Sequence, residues 1–211
     1  MPSTDAARPP TPAPSGTREQ VLSHAADLIR ERGFRATSIG DLLERAGVQK
    51  GSFYYYFPSK EDLGHAVLDR WIQELDQRLL DFLTDPSGPP PLERIAASLD
   101  GFLAEQEAAG CRGGCPFGNL AMELADVHEG FRTRISGAFH RLADAFTELI
   151  ERAKADGALR PDADAKALGQ FVVAAIEGGI LLCKVHKSTV PLASSLRAAE
   201  AYLASHRVRD A

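Results

Sequence analysis

The stretch from Thr37 to Leu63, TSIGDLLERAGVQKGSFYYYFPSKEDL, decides how this chain folds. Ser38 offers a hydroxyl to an orphan amide at a helix start, Asp41 stands three residues on, and Ile39, Leu42, Leu43 and Ala46 recur as one apolar stripe. Gly47 follows the last periodic residue and suits the left-handed conformation of a tight turn, so Gly47, Val48 and Gln49 lead into a second short helix. Two short helices joined by a glycine-containing turn make a helix-turn-helix. The second, from about Gln49 to Phe57, gives Val48, Phe53 and Phe57 to a core and turns Gly51, Ser52, Tyr54 and Tyr55 outward. An ammonium at Lys50, bare backbone at Gly51, a hydroxyl at Ser52 and consecutive phenols suit phosphate and base-edge contacts. The plainer alternative is a helical hairpin with surface tyrosines, but clustered exposed aromatics speak for a binding surface.

On the N-terminal side, Thr17-Arg18-Glu19-Gln20 reads as a capping box, and Val21, Leu22, Ala25, Leu28 and Ile29 follow at helical spacing until Gly33. Phe34 then packs beneath the reading helices and leaves Arg35 and Thr37 near a nucleic-acid backbone. On the C-terminal side, Pro58 breaks the helix and Ser59-Lys60-Glu61-Asp62 caps another, with Leu63, Val67, Trp71, Leu75 and Leu79 along one side. That rod runs to about Leu83 and spans about 35 Å. The segment Thr84–Pro91, TDPSGPPP, cannot continue it.

The run from Gly33 through Thr37, Asp41, Ala46-Gly47-Val48, Lys50-Gly51-Ser52-Phe53-Tyr54 and Phe57 to Ser59-Lys60-Glu61 resembles the DNA-binding head of TetR-family transcriptional regulators. The resemblance covers about the first third of the chain. It implies an all-α protein: a three-helix helix-turn-helix head, a long connecting helix, and an α-helical regulatory and dimerisation domain. The boundaries expected are a flexible tail over 1–16, the head over 17–58, the connecting helix over 59–83 and the effector and dimerisation domain over 84–211. Three positions depart from the family pattern. Gly40 replaces a polar group able to reach a base, Tyr56 stands where His is frequent, and Gln49 replaces the usual capping Ser or Thr.

The chain has 211 residues and a formal net charge of −5, which argues against a nucleic-acid partner only if charge is evenly spread. Arg35, Arg45, Lys50 and Lys60 gather around the expected contact surface. With Thr37, Ser38, Gln49, Gly51, Ser52, Tyr54, Tyr55 and Tyr56 they form the candidate set for double-stranded operator DNA. Residues Met1–Gly16 are rich in Pro, Ala, Ser and Thr and read as a flexible tail, in which Arg8 adds weak phosphate attraction. No apolar run reaches the roughly 20 residues of a membrane span. The expectation is a cytoplasmic protein with no membrane partner, no cofactor and three cysteines that begin as thiols.

The body reads as helices throughout, with no alternating strand pattern. The segment from about Asp164 to Val185 is apolar nearly all round and must be covered on every side. The final helix is too short and polar to do so alone. A second copy would complete a four-helix interface built on Val172, Val173, Ile176, Gly179, Ile180, Leu196 and Tyr202, as the resemblance also implies; the alternative is a buried monomer core. Dimerisation would place two recognition helices about 34 Å apart on a twofold-symmetric operator.

For an effector pocket, Phe102, Phe117, Met122, Phe139 and Phe171 supply apolar groups from different helices, with Asn119, Glu123, Glu177 and His186 as polar anchors. Cys115 precedes Pro116 at a helix start, where the dipole, free amides and Arg112 favour thiolate. Gly114-Cys115-Pro116 with Leu120 and Glu123 is similar to the electrophile-sensing branch of the family, which implies Cys115 as a sensor and Cys111 as a resolving partner. A small structural thiol is the alternative, and metal binding by the two cysteines with His128 matches no familiar zinc spacing.

The expected function is a homodimeric repressor, not an enzyme, released from a palindromic operator by a small molecule or an electrophile. The rival is a thiol-dependent enzyme or small-molecule binding protein with the head as a protein-docking module. It lacks an identifiable His and acid partner for either cysteine, a phosphate-cradling motif and a Cys-x-x-Cys.

Overall fold

The computed structural model describes residues 15–208, and among them every regular element is a helix, with one isolated antiparallel bridge between Leu159 and Arg207. The tail expected over 1–16 lies outside the described residues as far as residue 14, and Arg8 with it. Helix α1 spans Ser15–Arg32, so Thr17 lies inside its first turn and does not open it.

Helix α2, Ile39–Ala46, starts with a reciprocal capping box. Asp41 N donates to Ser38 Oγ at 3.1 Å and Ser38 N donates to Asp41 Oδ2 at 2.8 Å. Gly47 closes the helix in the left-handed region, φ +62°, and its amide donates to the carbonyls of Leu43 and Glu44. Helix α3, Lys50–Tyr56, follows with Gln49 at its N-cap and no side-chain cap. Helix α4, Lys60–Leu75, is capped by Ser59, and the rod continues through a π-helical turn, Asp76–Leu80, into α5, Asp81–Thr84.

The body contains α6 (Pro91–Ala108), α7 (Pro116–Leu124), α8 (Glu129–Ala155), α9 (Ala165–His186) and α10 (Val190–Ala204). The chain between α5 and α6 is held by Arg94, which is fully buried. Its guanidinium donates to the carbonyls of Leu83, Asp85 and Pro89.

Among the described residues two hydrophobic cores form. The first joins α1 to α4 through Val21, Leu28, Leu42, Phe53, Leu63 and Trp71, and also takes in Leu120 and Leu124 of α7 with Phe131 and Ile135 of α8. The head is therefore built onto body helices. Gly64 makes this fit possible, because a Cβ there would strike the Phe34 ring and come within 2.9 Å of Phe131 Cζ. Those two rings meet at a tilt of 52° beside α4 with centroids 5.5 Å apart. Phe131 is wholly buried, and such burial stabilises by about 1.5–3 kcal/mol. The second core joins Leu83, Ile95 and Leu99 to Phe146, Val172, Ile176, Leu192 and Leu196.

Helix α9 is long and apolar enough to cross a membrane by length and composition, and here it packs between α8 and α10. This changes the expected interface. Val172, Val173, Ile176, Gly179, Ile180 and Leu196 are buried within the single chain. Gly179 is pressed so closely by Leu192 of α10 that a Cβ would lie 2.7 Å from Leu192 Cδ1. α10 covers this face despite its shortness because small residues let the two axes approach. The apolar surface left open is another one: Phe171, Leu181, Leu182 and Val185 on α9, beside Tyr202 on α10. Of the expected set, Tyr202 alone belongs to it.

Candidate functional site

On the head, α3 leaves Gln49, Lys50, Gly51, Tyr54 and Tyr55 exposed, with Tyr54 at 41% and Tyr55 at 62%. Phe53 and Phe57 anchor the opposite side, so the aromatic run splits by helical period into a buried pair and an open pair. Lys50 Nζ stands 5.9 Å from the Tyr54 ring centroid, and the Tyr55 and Tyr56 rings meet edge to face at 4.9 Å. Ser52 and Tyr56 are half-buried. Arg35 and Arg45 are exposed, and Arg45 lies 3.7 Å from Glu31.

Three residues expected on this surface are placed differently. Thr37 is fully buried and its hydroxyl donates to the Gly33 carbonyl at 2.8 Å, so it braces the end of α1 and cannot reach a phosphate. The Ser38 hydroxyl is committed to capping α2. Lys60 folds back over the Phe34 ring, 4.6 Å from its centroid, and toward the Arg35 carbonyl at 3.4 Å. Burial lowers the pKa of its ammonium, opposed by the Glu123 and Asp41 carboxylates.

The body holds a cavity of about 560 Å³ between α4, the π turn, α5 and α6 on one side and α7, α8 and α9 on the other. Phe102, Phe117, Phe139, Cys115 and Glu177 line it as expected. Met122 and Phe171 do not: Met122 is 89% exposed, and Phe171 packs on Tyr202 at 5.2 Å on the outer face. Asn119 is also absent from the wall, since it donates to Gly113 O and accepts from Lys184 Nζ at 3.0 Å, fixing the loop before α7. Trp71, Leu75, Leu79, Ser98, Gln106 and Leu142 also line it, and Arg30, Glu74, Arg78 and Glu105 bring charged groups to the wall. The sequence reading marks Trp71, Leu75 and Leu79 only as one side of the connecting helix and does not single out Ser98, Gln106 or Leu142, because only the packing leaves space beside them.

Cys115 is the N-cap of α7, and its Sγ accepts from Gly118 N at 3.4 Å. The expected thiolate is not favoured. Burial pushes the Cys115 thiol well above its ordinary value, the neighbouring Glu177 carboxylate adds to that shift, and the helix-start amides oppose it without prevailing. Burial likewise raises the Glu177 carboxyl. Cys111 lies away from the cavity wall, buried and hydrogen-bonded to Cys183, whose thiol burial pushes up to about 11.

At its other end α7 grips the head. Glu123, expected as a pocket anchor, instead accepts Phe34 N on Oε1 at 3.0 Å and Arg35 N on Oε2 at 2.8 Å. Gly33, at φ +93°, lies so close that a Cβ would collide with the same carboxylate.

Glu61, His65 and His128 form a third cluster, where α4 meets the start of α8. Arg134 Nη1 stands 3.1 Å from His65 Nδ1, and Phe131 N donates to His128 Nδ1 at 3.4 Å. Arginine only donates, so both Nδ1 atoms accept and each ring carries its proton on Nε2, the atom a metal would need bare. His128 Nε2 donates to Glu61 Oε1 at 2.6 Å. The group is a hydrogen-bonded hub with the tautomers fixed against metal ligation. Burial, followed by the Arg134 charge, holds His65 below the usual imidazole range.

The family profile described as "Bacterial regulatory proteins, tetR family" matches residues 21–67, and "Tetracyclin repressor-like, C-terminal domain" matches residues 91–199. The chain is 28% identical to the HTH-type transcriptional repressor DhaR of Mycobacterium sp. (strain GP1), over 83% of this chain and 86% of that one. It is 32% identical to the transcriptional regulator AcuR of Cereibacter sphaeroides, over 87% and 86% respectively. The crystal structure of Escherichia coli NemR in its reduced form superposes with a TM-score of 0.80 at 28% identity, covering 93% of this chain and 99% of that one. Matched over head and body alike, the chain belongs to the TetR family of bacterial transcriptional regulators.

Proposed function

We propose that this protein is a homodimeric repressor that grips a twofold-symmetric operator with α3 of each protomer and lets go when a small molecule occupies the body cavity. The observation that carries this reading is the double attachment of α7. Cys115 and Phe117 at its start line the cavity, and Glu123 near its end holds the backbone of Phe34 and Arg35 in the head. A ligand that fits the cavity only when α7 has shifted would move the head by its differential affinity for the two states. Lys50, Gly51, Tyr54 and Tyr55 make the DNA contacts, helped by Arg35 and Arg45. The open apolar face of α9 and α10 receives the second protomer.

The test is an electrophoretic shift on the intergenic DNA beside the reading frame, titrated with salt. Specific binding should fall steeply with salt, and Lys50→Gln should reduce the logarithmic salt slope by about 1. Equal affinity for any duplex at any salt would overturn the proposal.

A second mode of release rests on Cys115 lining the cavity. Its S–H adds across the activated C=C of a quinone, sulfur bonding to the β-carbon and the proton passing to the carbonyl side, so the bulk of a covalent adduct displaces α7. The raised thiol pKa makes this addition slow at neutral pH and faster in alkali. Equal release by a mild quinone from wild type and from Cys115→Ser would remove Cys115 from the mechanism.

A further inference from the structure

Glu177 is the only acidic side chain on α9, a largely apolar helix, and it lines the body cavity from the middle of that helix. Gly118 on α7 makes room for it. A Cβ there would lie 2.7 Å from Glu177 Oε2, and the Cys115 thiol hydrogen-bonds the same carboxyl. Burial raises the Glu177 carboxyl, the Cys115 hydrogen bond opposes that shift, and no basic group among the described residues acts on it. The other charges of the wall are accounted for. Arg30 pairs with Glu105 at 2.9 Å and Glu74 with Arg70 at 3.1 Å, while Arg78 is exposed on the π turn, where water and salt screen it. Ser98 and Gln106 are neutral, and burial keeps the proton on Cys115. Among the described residues, half-buried Glu177 is therefore the interior charge of this wall left without a counter-ion.

A carboxylate held partly out of water without a counter-ion is costly, and a cation brought in from outside removes that cost. Trp71, Phe102, Phe117 and Phe139 line the space as well, and ring faces attract a cation while giving flat apolar contact to its hydrocarbon part. An anion would meet Glu177 as a like charge, and a neutral molecule would leave it unpaired. Assuming the effector role given above to this cavity, we propose that it takes an amphipathic cation, a mainly aromatic molecule carrying one ammonium group that pairs with Glu177. Organic amines are the chemical class. The ammonium competes with a proton for the same carboxylate, so it binds more tightly as pH rises and Glu177 ionises.

Trp71 is the chain's single tryptophan and stands in the cavity wall, so its fluorescence reports occupancy directly. Three probes of one shape, 4-phenylbenzylamine, 4-phenylbenzyl alcohol and biphenyl-4-carboxylate, are titrated into the full-length protein. At neutral pH the amine should bind about tenfold tighter than the alcohol, the worth of a charge-assisted hydrogen bond over a neutral one, with the carboxylate weakest. The amine's lead should narrow as the pH is lowered toward the ordinary carboxylate range, while the alcohol changes little. Glu177→Gln keeps the shape and removes the charge, and should erase most of that lead. If the alcohol or the carboxylate binds as well as the amine, if the amine shows no saturable binding, or if its lead survives Glu177→Gln, the inference is overturned. The wild-type panel and its pH dependence decide the matter even if the variant fails to fold. An amine that binds with the expected selectivity but leaves the protein–DNA complex intact supports the ligand class and overturns the effector role of the cavity.

Discussion

Glu123, carried on α7 in the body, accepts the backbone amide of Arg35 in the head at 2.8 Å, while its second oxygen takes the amide of Phe34. A carboxylate bridging two consecutive amides fixes both position and angle, which a single contact would leave free. Replacing it with Ala should destabilise the protein by about 1–2 kcal/mol, since the charge-assisted bonds are lost but Arg35 is exposed and water can take its amide. The sharper outcome concerns coupling: Glu123→Ala should still bind ligand in the cavity while ligand loses most of its effect on operator affinity. Glu123→Gln, with one acceptor oxygen, should lie between. Fluorescence titration and DNA release measured on the same samples check this.

Thr37→Val separates a structural role from a DNA contact. The buried hydroxyl satisfies the Gly33 carbonyl, so its loss should cost about 1 kcal/mol in urea unfolding. Operator affinity per folded molecule should be unchanged. A large drop in affinity at unchanged stability would put Thr37 back on the DNA.

Gly178 lies on the exposed face of α9, and a Cβ there meets no atom within 4 Å. Gly178→Arg should therefore leave the monomer intact, with helix content retained. It should yield a particle of half the mass in light scattering and reduce operator affinity by roughly 100-fold or more, as two linked contacts become one. A variant that remains dimeric would move the interface elsewhere.

Glu177 gives a pH signature. Burial raises its carboxyl above the ordinary 4.5, so the folded state holds the proton more tightly than the unfolded chain. Its contribution is fully present below pH 4.5 and is lost as pH rises through the folded value. Glu177→Gln removes the titration, so the variant should gain stability relative to wild type on going from pH 4.5 to pH 7. Unfolding curves at the two pH values test the sign.

How much of this was legible in the sequence follows from the range of the forces involved. Ser38, Asp41 and Gly47 act within one turn, and their spacing predicts the cap, the helix and its end as observed. The division of Phe53 and Phe57 from Tyr54 and Tyr55 is likewise set by helical period. What periodicity cannot convey is which neighbour covers an apolar face. Val172, Ile176 and Leu196 read as an interface because they are apolar, and the core that α8, α9 and α10 form within one chain had already taken them. Thr37 failed for a related reason, since a small polar residue beside a reading helix suits a phosphate contact and an internal brace equally well. Cys115 shows the limit of local electrostatics: the helix start favours thiolate, but burial against Glu177 comes from helices distant in sequence and outweighs it.

Arg94 gives the loop TDPSGPPP a mechanical meaning. One enclosed guanidinium threads three carbonyls on the descending chain, so the lower ends of the rod and of α6 are riveted together. Gly88 sits so tightly against that rivet that any side chain there would strike it. The rod and α6, which share one wall of the chamber, cannot spread apart at their base. Under the proposed effector role, a guest gains room at the opposite wall, where α7 connects the chamber to the head.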